Sequence, residues 1–419
     1  MHMQKTLMER VQSTYLFDPD VNADKMTFLS GPRQIGKTTF VLKRLEFLGQ
    51  THLYFNWDDP LVPREYNLNP HFLKAKIAVE EQTPLVAFDE IHKHKKWKNI
   101  LKGLYDIHKD EARFIVTGSA RLDYFRQSGD SLVGRYFSYK MFPLGLSEAT
   151  GEFRRISNDE ELISGRKENE LIRRLYDVPL QPAKDALEHM MIFGGFPEPY
   201  IKSNSRFSLK WRRDYKSLLL YEDLRDLSRI QDIKGVEQLL LMLPDRVSAP
   251  LSINSLREDL NVNHRTVSNW IEALKKVYLI FSVKPWSKKI SKAIKREPKI
   301  YFYDWTMVKS RGACFENLMA VALLRLVCRW NELGLGDFDL RYVRNHQGKE
   351  VDFLIVKDLE PFALIEAKQS QLEPTRSGSY FQNHLQVPYF QVVEQFDGVE
   401  AWPNSRYTVG ASRFLSLLG

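Results

Sequence analysis

Residues 28–40 read FLSGPRQIGKTTF. They carry an apolar, strand-like run through a turn with glycine at positions 31 and 36 into an amphipathic helical pattern, TTFVLKRLEF. The spacing is G-x-x-x-x-G-K-[ST], which on a strand, turn and helix is a phosphate-binding loop. Gly31 and Gly36 let the backbone wrap phosphate oxygens, with amides converging on the anion at the positive helix start. Lys37 is placed to reach the β- and γ-phosphates of ATP, and Thr38 to give a hydroxyl to Mg²⁺. Pro32, Arg33, Gln34, Ile35 and Thr39 complete the expected nucleotide-binding set.

A loop of this kind needs acidic partners, and TPLVAFDEIHK supplies them. The apolar residues Leu85 to Phe88 run directly into Asp89 and Glu90, as a buried parallel strand does when it ends in acids at its carboxyl edge. Asp89 is the expected Mg²⁺ partner, and Glu90 the residue that polarises an attacking water. Two acids opening a helix would also favour its dipole, but the intact loop upstream decides for the site. The next strand-like run, RFIVTGSARLDYF, ends in Thr117, Gly118 and Ser119. Thr117 is the first candidate for sensing the γ-phosphate and Ser119 the second. Arg135, in a glycine-containing loop before a further strand, is a candidate arginine finger for a neighbouring subunit. That role carries the expectation of a homo-oligomer. Strand starts recur roughly every 25 to 30 residues with helical patterns between them, as βαβ units require.

The whole chain has 419 residues, 43% hydrophobic and 27% charged, with a net charge of +8. That length calls for several domains, and the composition is that of a globular protein rather than a disordered one. No uninterrupted apolar segment has the length of a signal or a membrane span. The expected location is the cytoplasm, with no membrane partner. Cys314 and Cys328 are the only cysteines, too few for a disulfide framework or a cysteine zinc site.

GPRQIGKTT, LVAFDEIHK, VTGSA, and LVGR followed by FPLGLSE together resemble the AAA-superfamily ATPases of bacteria and archaea that carry a C-terminal domain of unknown function. The resemblance runs through most of the chain. It implies an ATP-binding core with Lys37, Thr38, Asp89 and Glu90 in their usual roles, and it implies no particular substrate. The GGFPEP segment at residues 194–199 is repeated in that family and implies a structural joint.

Further along, residues 248–286 read as a short helix opened by Ser252, a polar turn at 261–263, and a second helix with Val267, Trp270, Ile271 and Leu274 inward. This is helix-turn-helix spacing, and YLIFSVKPW reads as the first strand of a wing. In a winged helix the second helix enters the DNA major groove, so Asn263, His264, Arg265, Ser268 and Asn269 are candidate contacts. The basic run from Lys284 to Lys299, with Lys288, Lys289 and Lys292, falls on the wing and its return strand, where phosphate contact is its natural use.

In the C-terminal part, GACFENLMAVALLRLVCRW is a long apolar helix with Glu316 near its start. Residues 339–370 read as two strands joined by a turn, carrying Asp352 and then Glu366 and Lys368. Residues two apart on a strand share a face, so Glu366 and Lys368 project together and Asp352 on the partner strand can meet them. Two acids that hold Mg²⁺ and a lysine that orients water suit metal-assisted phosphodiester hydrolysis. The order resembles the PD-(D/E)xK nuclease fold, whose first helix often contributes a glutamate, here Glu316.

The expected fold class is therefore α/β. Residues 1–150 form a P-loop AAA-type parallel-sheet domain, 151–240 a helical lid or connecting region, 241–300 a winged helix-turn-helix, and 301–419 a restriction-endonuclease-like domain. The leading function is an Mg²⁺-dependent ATPase acting on DNA, with a metal-dependent nuclease site at Asp352, Glu366 and Lys368. The alternative is an ATP-dependent switch whose nuclease-like fold is an inactive interaction module.

Overall fold

Strand β1 (Met26–Ser30) is buried along its whole length, as expected of an apolar run covered on both faces by helices. The protein is seen here as a computed structural model describing residues 9–22, 24–118, 132–152, 159–227, 230–287 and 297–418. Ser119, Lys288, Lys289 and Lys292 lie outside the described residues. The chain divides into two compact units, Gln12–Phe142, and Met1–Val11 together with Pro143–Gly419.

In the first unit, β2 (Tyr54–Asn56), β3 (Leu85–Asp89), β4 (Arg113–Thr117) and β5 (Tyr136–Lys140) join β1. The order is β2-β3-β4-β1-β5 and every pairing is parallel, an AAA-like arrangement. Helix α1 (Lys37–Leu48) follows β1 directly and buries Lys37, Phe40, Val41 and Leu45, a stripe at helical spacing. Helix α2 (Trp97–His108) places Trp97, Ile100, Leu101 and Leu104 in a core with Phe28, Phe88 and Phe114. The register pairs Leu29 and Asp89 with Thr117. It thereby sets the ends of β1, β3 and β4 side by side at one edge of the sheet.

After its N-terminal segment the second unit resumes at Pro143. Helix α3 (Leu180–Phe193) stops at Gly194, whose φ of 79° lies in the left-handed region that glycine tolerates. Beyond it, Gly195 accepts a backbone hydrogen bond from Leu144, and a methyl group there would lie 2.5 Å from the Trp305 ring. Helices α4 (Ile253–Asp259) and α5 (His264–Lys276) are joined by a tight turn in which Asn261 has φ 53°. Ser252 and Asn263 cap them, and Val267, Trp270, Ile271 and Leu274 face inward. Two antiparallel strands follow, β6 (Ile280–Pro285) and β7 (Lys299–Phe302).

These strands do not stand alone. With β8 (Phe338–Arg344), β9 (Glu350–Lys357), β10 (Glu360–Lys368), β11 (Tyr389–Val393), β12 (Val399–Trp402) and β13 (Arg406–Gly410) they form one mixed sheet of order β12-β13-β11-β10-β9-β8-β6-β7. The parallel contact of Lys284 and Pro285 with Arg341 and Tyr342 joins the two parts, so the 300/301 boundary expected from sequence falls within a sheet. Residues 339–370 also contain three strands, not two. The extra reversal lies at Asp358 and Leu359, whose φ values of 50° and 71° close a two-residue hairpin loop without glycine. Helix α6 (Arg311–Glu332) docks on β7 through Asn317, whose side-chain amide exchanges two hydrogen bonds with the backbone of Phe302, at 2.8 and 2.7 Å. That lock places Glu316 beside the start of β7.

Candidate nucleotide site and C-terminal acidic site

The loop between β1 and α1 takes its shape from residues with positive φ: Gly31 at 145°, Gln34 at 58° and Gly36 at 97°. Gly31 also passes close to Met141, whose carbonyl oxygen would be 2.3 Å from a β-carbon there. Gly31→Ala is accordingly expected to lower nucleotide affinity about tenfold or more, since local strain of this kind costs roughly 1–3 kcal/mol. Titration with a fluorescent ATP analogue reads this directly, and an unchanged affinity would show that the loop does not need its tight approach to Met141.

Lys37 is buried inside the loop and donates to the carbonyls of Gly31 at 2.9 Å and Pro32 at 2.7 Å. Asp89, 4% exposed, is the hub. Its Oδ2 accepts from Thr38 Oγ1 and from the Tyr54 hydroxyl, each at 2.7 Å, and its Oδ1 accepts from Thr117 Oγ1. Burial and the neighbouring Asp89 hold the Tyr54 phenol well above its ordinary pKa, so it stays a donor. Glu90 follows in the left-handed conformation, φ 57°, with its carboxylate 3.5 Å from both Lys93 Nζ and His92 Nε2. Burial pushes the Glu90 pKa up, against the opposing pull of Lys93. The direction suits a carboxylate that accepts a proton from water.

Thr38 and Asp89 offer hard oxygen donors 2.7 Å apart beside the phosphate loop. Mg²⁺ in nucleotide sites is commonly held by such a hydroxyl and one or two carboxylates together with substrate phosphates, so the residues present fit that ion. Arg135 is not in this group. Its carbonyl accepts from Met26 at the opposite end of β1, and its guanidinium pairs with Asp106 at 2.8 Å. The site within its own subunit lies beyond its reach. Tyr54 escaped the sequence reading because a tyrosine in a strand signals packing before it signals a hydroxyl.

The second unit does bring Glu316, Asp352, Glu366 and Lys368 together. Lys368 Nζ lies 2.8 Å from Glu366 Oε1, as their shared strand face requires. Glu366 Oε2 accepts from Thr375 Oγ1 and the Tyr389 hydroxyl, both at 2.7 Å. Asp352 Oδ2 accepts from the Ala367 amide at 3.1 Å. Burial works against the Lys368 charge, but Glu366 and Asp352 outweigh it and hold the pKa above the ordinary lysine value. Lys368 is therefore a standing cation rather than a base.

Three residues at this site, Lys299, Tyr301 and Glu350, are new. Lys299, counted by sequence in a solvated basic run, is fully buried on β7 with its ammonium 2.7 Å from Glu350 and 3.3 Å from both Glu316 and Asp352. Tyr301 adds a hydroxyl that donates to Glu316 at 2.7 Å. Burial and the nearby Asp352 push the Glu316 pKa up to about 7. The signal for Lys299 was its place at the head of the apolar run IYFY, where a solvated lysine would not be expected.

A divalent ion does not fit the acids as they stand. The oxygens of Asp352 and Glu366 that would bind it already accept from protein donors, and the distances around Lys299 are those of an ammonium, not the roughly 2.0–2.1 Å of Mg²⁺ to oxygen. Among the described residues, no group of three or more His, Cys, Asp or Glu has metal-holding geometry. On the helix pair, Asn263, His264, Arg265 and Asn269 are exposed and Ser268 is half-buried.

The parallel sheet and the glycine loop give the first unit a P-loop fold in an AAA-like arrangement. Residues 23–150 match the model of an AAA domain, and residues 184–311 match a domain of unknown function, DUF8612. Among curated proteins, the chain is 26% identical over 345 residues to the uncharacterized protein MJ1544 of Methanocaldococcus jannaschii, covering 79% of this chain and 72% of that one. It is 23% identical over 363 residues to the uncharacterized protein Rv2008c of Mycobacterium tuberculosis, covering 85% and 73%. Among solved structures, it is similar to the Aeropyrum pernix ORC1 protein in complex with DNA, at 14% identity and TM-score 0.28 over 74% of this chain and 90% of that chain. It is likewise similar to the replication initiator DnaA bound to AMPPCP and single-stranded DNA, at 13% identity and TM-score 0.29 over 64% and 86%. Scores at this level carry no argument about function. Among the described residues, no helix is long and apolar enough to cross a membrane.

Proposed function

We propose that the protein is an Mg²⁺-dependent ATPase of the cytoplasm that acts on DNA. The observation that carries the ATPase reading is the convergence of Thr38, Tyr54 and Thr117 on Asp89 beside the Lys37 ammonium. In this reading Lys37 turns from the Gly31 and Pro32 carbonyls to the β- and γ-phosphates. Glu90 orients the attacking water and takes its proton, and Thr117 reports the state of the γ-phosphate to Asp89. Thr38 and Asp89 would hold Mg²⁺, which when bound would supply charge neutralisation at the phosphates. Arg135 serves in a neighbouring subunit of a homo-oligomer. Asp89→Asn is expected to remove most Mg²⁺-dependent phosphate release, measured at saturating ATP. Full turnover in that variant would sink the assignment.

DNA contact is proposed for the exposed start of α5, through His264 and Arg265, and for Lys288, Lys289 and Lys292 of the basic run read from the sequence. The helix, turn, helix and antiparallel strand pair support it. The logarithm of the affinity should fall linearly with log salt, because each phosphate contact contributes a slope of about 0.9. Reversing Lys288, Lys289 and Lys292 to Glu should reduce that slope by about 3 and weaken binding at least tenfold, read by fluorescence anisotropy. Salt-independent binding would point instead to a protein partner.

For the C-terminal acids, the saturation of Asp352 and Glu366 by protein donors favours the second reading. The nuclease-like fold is then a binding module under ATP control rather than a metal-dependent cutter.

A further inference from the structure

Three carboxylates, Glu316, Glu350 and Asp352, come from α6 and β9 and meet at one point, the Lys299 ammonium. Lys299 is 0% exposed, while the carboxylates retain 13%, 21% and 14% exposure. The acids are therefore open to ions in solution, and steric closure does not keep a metal away. What occupies the point of convergence is the lysine.

We propose that Lys299 is the resident counter-cation of this acidic site, filling with an ammonium the role that a divalent ion would otherwise have, so that the site takes up no Mg²⁺ or Mn²⁺ while Lys299 is present.

Of the eight carboxylate oxygens of Glu316, Glu350, Asp352 and Glu366, all but Glu316 Oε2 have a protein partner. Asp352 spends Oδ1 on Lys299 and Oδ2 on the Ala367 amide. Glu316 Oε1 takes Lys299 and the Tyr301 hydroxyl, and Glu350 spends Oε1 on Lys299 and Oε2 on Arg344 at 3.4 Å. Glu366 is filled by Lys368, Thr375 and Tyr389. A metal would have to displace an ammonium whose stem is fixed in a β-sheet and whose head also lies 5.6 Å over the Tyr342 ring. An ammonium so deeply buried cannot leave its partners without a large desolvation penalty. The displacement is unfavourable on both sides.

The inference rests on the reading of the C-terminal fold as a non-cutting module and is independent of the ATPase reading. The test is Mn²⁺ binding to the full-length, nucleotide-free chain, followed by electron paramagnetic resonance. Comparison with Asp352→Asn cancels any Mn²⁺ held at Thr38 and Asp89. Wild type and Asp352→Asn are expected to give superimposable titrations. Lys299→Met is expected to gain a site at least tenfold tighter than any in wild type, lost again in Lys299→Met/Asp352→Asn. Because Lys299→Met leaves three clustered carboxylates without their cation, its melting temperature is followed as well, together with Lys299→Met/Glu350→Gln, which carries one negative charge fewer. Mn²⁺ should raise the melting temperature of Lys299→Met by more than that of wild type, and wild type and Asp352→Asn should respond alike. Asp352-dependent Mn²⁺ uptake by the wild type would overturn the proposal, as would Lys299 variants that neither bind Mn²⁺ nor are stabilised by it. Either failure leaves ATP hydrolysis and its dependence on Asp89 untouched, so the two readings are judged separately.

Discussion

Lys37→Ala is expected to lower ATP turnover by about a hundredfold or more, in line with the removal of one preorganised group aimed at developing charge. The structure explains why the loss should be large. Lys37 already lies within the loop, its ammonium held by two carbonyls that no longer need it once phosphate oxygens arrive. Little reorganisation is then required when the nucleotide enters, and alanine forfeits both the charge and its preorganised position. The same substitution removes two loop hydrogen bonds, so the measurement pairs phosphate release with a melting curve. Lost turnover with a melting temperature close to that of wild type identifies a chemical defect, whereas unchanged turnover would refute the role of Lys37.

The second large effect concerns stability. Glu148 is completely buried in the larger unit, where it meets Arg10 Nε at 3.1 Å and Arg325 Nη1 at 3.0 Å and accepts from the amides of Val11 at 2.8 Å and Gly145 at 2.9 Å. Glu148→Ala strands two arginines in the interior. Breaking a buried ion pair from one side costs about 3–5 kcal/mol, which for a unit of this size lowers the melting temperature by roughly 10 °C. The pH dependence has a definite sign. Burial pushes the Glu148 pKa up, but Arg10, Arg325 and the two amides outweigh it and leave the folded-state pKa below the ordinary glutamate value. A depressed carboxylate stabilises the fold above its unfolded pKa, about 4.3, and that contribution is lost as pH falls through the folded pKa. The gap in melting temperature between wild type and Glu148→Ala should therefore narrow on acidification below about pH 4.3. A gap that widened would mean that the carboxylate is not the source of the effect.

Much of the nucleotide site was legible because its parts are local. A glycine loop on a strand and helix, and acids at the end of an apolar strand, are read within a dozen neighbouring residues, and among the described residues the structure adds Tyr54. The helix pair was legible for the same reason, with Val267, Trp270, Ile271 and Leu274 buried as their spacing predicted. The C-terminal acids could be found by strand alternation. Their neutralisation could not, because Lys299 precedes Asp352 by 53 residues and reaches it through a sheet whose strand order no local pattern reveals. The same non-local pairing hid the union of β6 and β7 with the later strands, and it misplaced Lys299 among the exposed basic residues.

The division of the chain has an architectural consequence. The larger unit consists of the segment ending at Val11 and everything from Pro143 onward, and one carboxylate, Glu148, grips the chain at both Val11 and Gly145. The two cut ends of that unit are therefore neighbours, as they are in hosts that accept a whole domain within a surface loop. The nucleotide-binding unit has the standing of a cassette. A short spacer between residues 11 and 143 is expected to leave every strand of the eight-stranded sheet in its place.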